Sequence, residues 1–290
     1  MIVRVSYATV QLSLIAALAV AGALVPALAQ DKDRVVSLGG SVTEIAVALG
    51  AEDRLVARDT TSNYPESILD LPDVGYIRAL SPEGVLSVAP DLIVAEGDAG
   101  PPEAVDVLRG AGIPFHLMPE AITPEELGTK IRAVGEVLGL VPEAETLATQ
   151  VEADLAVARD RAAALAGKKR ILFVLSLQGG RIMAGGEGTE AEGIITLAGG
   201  ENAAAGFQGY KQMTDEAVIE AAPDVILMMD REGDLAIADA DLFGQPAIAE
   251  TPAGKDHKVI RMDGMLLLGF GPRTPEAARL LYDAIYGAGG

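Results

Sequence analysis

The chain has 290 residues, no cysteine, no tryptophan, two histidines and a formal net charge of −20. Without thiols it gains nothing from disulfides and offers no cysteine for a lipid anchor, so its core alone must hold it and free diffusion is expected. So negative a chain repels nucleic acid and other polyphosphates, and an anionic ligand would need a local cluster of arginines.

At the amino end, basic Arg4 precedes an uncharged apolar run, Leu12 to Val25, and the small-residue site Ala27-Leu28-Ala29. A run of about 14 residues falls short of the ~20 of a membrane span, which predicts a secretory signal peptide over 1–29, cut before Gln30. An uncleaved anchor is the alternative. Removal of Arg4 with the leader brings the remaining chain to about −21.

Arg34–Leu38 reads as a strand and Val42–Leu49 as a helix closed by Gly50. Asp91–Ala95 is a second buried strand, Pro102–Gly112 a helix stopped by glycine, and Ile113–Met118 a further strand. Strand and helix in alternation predict a parallel, doubly wound sheet. Thr123-Pro-Glu-Glu126 carries a capping box that opens a helix to Gly139, and Pro142 opens another, alanine-rich, to Ala166. Lys169–Leu175 restarts the alternation. The expected fold class is α/β: an amino-terminal lobe over 30–141, a linking helix over 142–166, and a carboxy-terminal lobe over 167–290.

An internal repeat supports two lobes. Leu80–Ile93 aligns without a gap on Met213–Ile226, each with a capping hydroxyl, a first-turn glutamate (Glu83, Glu216), an apolar helix and a Pro-Asp turn into a buried strand. Common αβ turn chemistry is the competing explanation.

Few residues carry chemistry. Neither His116, inside a strand, nor His257, in a solvated polar segment, has metal-ligand spacing, which weakens a zinc or manganese carrier. Gly186-Glu-Gly188-Thr-Glu-Ala191 matches a dinucleotide fingerprint but fits better as a tight glycine turn into a helix. No hydrolase elbow, phosphate loop or paired acid and base points to an enzyme. Asp59-Thr-Thr-Ser-Asn-Tyr64-Pro65 is different: a polar run after a strand, with a tyrosine that proline holds extended, at the sheet end where such folds bind ligands. A phenolate is a hard oxygen donor suited to ferric iron; a loop tyrosine without a ligand satisfies the same residues.

Three segments, Thr60–Pro65, Leu71–Gly84 and Leu267–Thr274, give the chain a resemblance to the haem-binding components of bacterial haem-uptake ABC transporters, within the cluster that includes vitamin B12 and siderophore binding proteins. The resemblance implies two Rossmann-like lobes joined by a single long helix, haem b in the inter-lobe cleft as transported ligand, and Tyr64 as axial ligand to its iron. It implies Glu83 and Glu216 as contacts for an inner-membrane permease dimer with its ATPase, a monomeric chain, and a soluble life in a Gram-negative periplasm. Binding of B12 or an iron siderophore is the alternative, and a periplasmic enzyme a more remote one. Arg78 and Arg273 are the candidates to partner the phenolate or the propionates, Arg78 first, since an acidic protein must concentrate positive charge to hold an anion. Some relatives pair two haems through a histidine of the other lobe; Ser176–Gly186 has none, so one haem is expected, with Met183 or Gln178 as neighbours.

Overall fold

A computed structural model describes residues 33–231, 233 and 236–287; the expected leader over 1–29 lies outside them. The first lobe runs β1 (Val35–Leu38), α1 (Gly40–Ala48), β2 (Leu55–Arg58), α2 (Pro82–Ser87), β3 (Leu92–Glu96), α3 (Pro102–Gly110), β4 (Phe115–Met118) and α4 (Pro124–Leu138). Its strands form one parallel sheet in the order β2-β1-β3-β4. Central β1 is apolar on both faces: Val35 points to one apolar cluster, Val36 and Leu38 to another, as a period of two requires.

Thr123 closes the expected capping box at the start of α4. Its hydroxyl accepts from the Glu126 amide (3.3 Å), and the Glu126 carboxylate accepts from the amides of Thr123 and Ile122 (3.0 Å each). Gly139, at φ 71°, ends that helix and α5 (Val141–Ala163) follows. At 1.5 Å per residue α5 is about 35 Å long. Arg132 of α4 grips Glu145 and Glu152 on α5 (2.8 and 2.6 Å), and Arg161 stacks on Tyr282 (3.6 Å) while bonding Asp283 (2.7 Å).

The second lobe runs β5 (Arg170–Gln178), β6 (Arg181–Gly185), α6 (Glu190–Leu197), β7 (Glu201–Asn202), β8 (Tyr210–Met213), α7 (Asp215–Ala221) and β9 (Val225–Asp230). It continues through α8 (Asp239–Phe243), α9 (Pro246–Ala249), α10 (Pro252–Lys255), β10 (Val259–Asp263), α11 (Gly264–Leu268) and α12 (Thr274–Tyr286). Its sheet, in the order β10-β9-β5-β6-β8 with β7 also on β5, departs from the parallel expectation, because β6 is antiparallel to both β5 and β8. The cause is Gly179-Gly180, both at positive φ (59° and 77°), which fold β5 back in a tight hairpin. The fingerprint-like glycines are a turn, as expected: Gly188 takes φ 69° and Thr189 caps α6.

One apolar cluster joins the inner faces of both sheets through α1, α4, α5, α6 and α12, and each sheet has a smaller cluster on its outer face. The described residues form one compact unit built of two α/β lobes. None of the described helices is long and apolar enough to cross a membrane.

Candidate functional site

All four strands of the first sheet are parallel, so the loops after β1, β2 and β3 emerge at one end. The loop after β2 carries Tyr64, and Asp59 anchors it. That carboxylate is fully buried and accepts from the Gly39 amide (2.9 Å), the Ser62 hydroxyl (2.7 Å), and the Thr61 amide and hydroxyl (3.0 and 2.8 Å). Thr61 Oγ1 in turn accepts from the Gly40 amide (3.1 Å), so the loop caps the amino end of α1. Arg58 and Thr60 tie the loop to Asp73, and the Thr60 amide bonds the Gly75 carbonyl (3.0 Å), which locks it to the next turn. Beyond this rigid base Tyr64 projects, 46% exposed, ahead of a cis bond to Pro65.

The guanidinium over Tyr64 comes from the other lobe: of the two candidates it is Arg273, where Arg78 was expected first. Arg273 precedes α12, and its Cζ lies 3.7 Å from the Tyr64 ring centroid, a cation–π stack. The same guanidinium makes a fork onto Glu44 of α1, with Nε donating to Oε2 (2.9 Å) and Nη2 to Oε1 (2.5 Å). Burial works against the charge on Arg273, but the bonds and charge of Glu44, with Asp263 and Tyr64, outweigh it and raise the pKa. For Glu44, only 7% exposed, burial dominates and raises the carboxyl pKa although Arg273 pulls it down. No motif in the sequence singles out Glu44; an acid within the apolar helix Val42–Leu49, which must pack, was the signal for a buried partner.

Arg78 belongs to a different cluster on the first lobe. It donates to the Tyr76 hydroxyl (2.9 Å), lies over the Tyr76 ring and pairs with Asp98 after β3. Met183 is half-buried in β6, opposite Ser176 of β5 and Gln212 of β8. The Gln178 side chain lies outside the described ones. Glu83 and Glu216 are exposed in the first turns of α2 and α7, and among the described residues neither has an ion-pair partner. His116 is exposed on β4, and His257 packs against Phe243 with ring centroids 4.6 Å apart. Among the described residues no group of His, Cys, Asp and Glu is arranged to hold a metal ion.

Sequence reading also missed a buried polar chain under α1. Lys130 of α4, only 4% exposed, donates to the Ser41 hydroxyl (2.7 Å), which donates to Glu96 at the end of β3 (2.7 Å). A groove of about 310 Å³ lies elsewhere, between α5 and α12 beside Val157, Arg161 and Tyr282, and none of the predicted site residues lines it.

Among solved structures, the chain is similar to the periplasmic heme-binding protein BhuT in complex with two hemes, at 39% identity and a TM-score of 0.82, covering 87% of this chain and 97% of that one. It is equally similar to the periplasmic heme-binding protein RhuT from Roseiflexus sp. RS-1 in apo form: 38% identity, TM-score 0.82, covering 87% and 99%. The vitamin B12-binding protein of Yersinia pestis (strain Pestoides F) is 31% identical over 202 residues, 69% of this chain and 70% of that protein. The periplasmic binding protein family matches residues 35–266, from the first strand to the helix that precedes the Arg273 loop. A two-lobed α/β chain with an arginine of one lobe stacked on a tyrosine of the other, it belongs to the periplasmic binding protein family.

Proposed function

We propose that this protein binds ferric haem in the periplasm and delivers it to an inner-membrane ABC permease. The observation that carries the reading is the exposed phenol of Tyr64 under the guanidinium of Arg273. Ferric iron takes a phenolate as a hard oxygen ligand, and an adjacent cation favours the ionised form. Free tyrosine titrates near pH 10, so iron and guanidinium together must offset about 1.4 kcal/mol for each unit of deprotonation below that. Glu44 occupies Nε and Nη2 of Arg273, and Nη1 remains for a propionate; Arg78, tied to Tyr76 and Asp98, is the second candidate for that task. Met183 is the proposed neighbour from the second lobe. Heme is the ligand of BhuT, and at 39% identity that likeness supports the same cargo here.

In this reading the ligand leaves unchanged, as suits a binding family. Glu83 and Glu216, in equivalent first turns, are the contacts proposed for the two-fold permease and its ATPase.

Titration of the purified protein with hemin tests the reading. A shifted Soret band, a phenolate-to-iron charge-transfer band and a breakpoint at one equivalent are expected, and BhuT with two hemes makes the breakpoint worth measuring. Vitamin B12 is the second reading, resting on the Yersinia relative. Binding of cyanocobalamin without binding of hemin would replace haem by B12.

A further inference from the structure

Three side chains meet where the lobes touch: Tyr64, Arg273 and Glu44. Glu44 sits on α1, 229 residues from Arg273, and satisfies two of its N–H groups in a planar fork. A fork fixes orientation as well as position, which a single hydrogen bond does not. Glu44 is itself held, because α1 is capped by the Asp59 loop that carries Tyr64. The carboxylate is kept buried at a cost, since burial outweighs Arg273 in setting its pKa, and Asp263 and Glu96 add repulsion. Retention of a costly ion pair at a binding cleft points to a positioning task.

We infer that Glu44 is the positioning residue of the cleft: its forked bond locks Arg273 flat on the Tyr64 ring and leaves Nη1 as the prepared donor for an anionic group of the ligand. The inference rests on the haem reading for the identity of that ligand. A free arginine side chain loses rotamer entropy when it is fixed, and the fork removes most of that loss before the ligand arrives.

The test has a ligand-free arm and a ligand arm, each on wild type, Glu44→Gln, Arg273→Ala and the double variant, with circular dichroism to verify folding. In the ligand-free protein the Arg273 Nε–H resonance should carry a ring-current shift from Tyr64 and exchange slowly; Glu44→Gln should erase both. In hemin titrations Glu44→Gln should weaken binding about tenfold, and the double variant should bind no worse than Arg273→Ala alone, because Glu44 acts through that arginine. Losses that multiply in the double variant would overturn the inference. So would unchanged or tighter hemin binding by Glu44→Gln, or a ring-current shift that survives it. If wild type binds no hemin yet Glu44→Gln erases the shift, the haem reading falls and the positioning role stands.

Discussion

The two repeated segments, Leu80–Ile93 and Met213–Ile226, are alike in what builds the fold and unlike in what surrounds the site. Ser81 and Thr214 each cap their helix, accepting from the amides of Gly84 (3.3 Å) and Ala217 (3.2 Å). Val85 and Val218 are both fully buried, and Ala89 and Ala222 both take a left-handed turn at φ 48° and 42°. Asp91 accepts from the Arg34 amide (3.0 Å) and Asp224 from the Arg170 amide (2.9 Å), and each arginine side chain bonds a carbonyl at the end of its lobe's helix. The framework chemistry is thus written twice. The candidate site is written once: the first lobe gives Tyr64 and Glu44, the second gives Arg273, and their stack and fork exist only where the lobes meet.

The largest effect should come from breaking the unduplicated part. Tyr64→Phe keeps the ring and removes the donor oxygen, so hemin affinity should fall about 100-fold or more, at ~1.4 kcal/mol per factor of ten, with loss of the charge-transfer band. Tyr210 of the second lobe, half-buried against Phe173 and bonded to Glu190 (2.9 Å), has its pKa raised by desolvation and then by Glu190. Its replacement by Phe should leave hemin binding unaltered and cost about 1 kcal/mol of stability in chemical denaturation.

The duplicated acids supply the next test. Glu83→Ala with Glu216→Ala should leave the hemin titration intact and stop uptake into proteoliposomes, each single change giving a partial defect; full transport by the double variant would return both residues to helix-dipole stabilisation.

The pH dependence of stability separates the lobe junction from either lobe. Folding raises the Glu44 pKa above 4.5, so the folded state binds this proton more tightly than the unfolded chain. The contribution of this group to stability is therefore complete below pH 4.5 and is lost as pH rises through its elevated value. In melts across pH 4 to 8, Glu44→Gln should flatten that part of the curve.

The smallest effect is the most symmetrical. Ala89→Gly and Ala222→Gly relieve left-handed strain at matched positions, and part of the gain is offset by the freedom glycine adds to the unfolded chain. Each should raise stability by about 0.5 kcal/mol in urea titrations, by the same amount in both lobes.

The same division explains what could be read from the sequence. The capping box at Thr123, the stop at Gly139 and both halves of the repeat were legible because each is decided within a few residues. The long helix was legible, with ends displaced from 142–166 to Val141–Ala163. The antiparallel hairpin was hidden in plain residues: Gly179-Gly180 is hairpin chemistry, but the surrounding alternation suggested a crossover. Tyr64 stood out by its polar loop and following proline. Arg273 was one of two candidates for its guanidinium, but the order between them was not legible, because Arg273 and Tyr64 are near only in space. Lys130 and Ser41 were likewise invisible, since a lysine on an amphipathic helix defaults to solvent and only the fold brings Glu96 within the same chain of bonds.

The continuous core through α1, α4, α5, α6 and α12 makes the two lobes thermodynamically inseparable. A fragment ending at Leu138 would present Leu127, Ile131 and Val134, all fully buried in the whole chain, without the α5 face that covers them. Unfolding should accordingly be a single cooperative transition, with neither half surviving the other. For a carrier that must open to give up its cargo, this shifts the burden of motion from a hinge to side chains and loops at the cleft mouth. Release then becomes a local event in a molecule whose global structure stays committed.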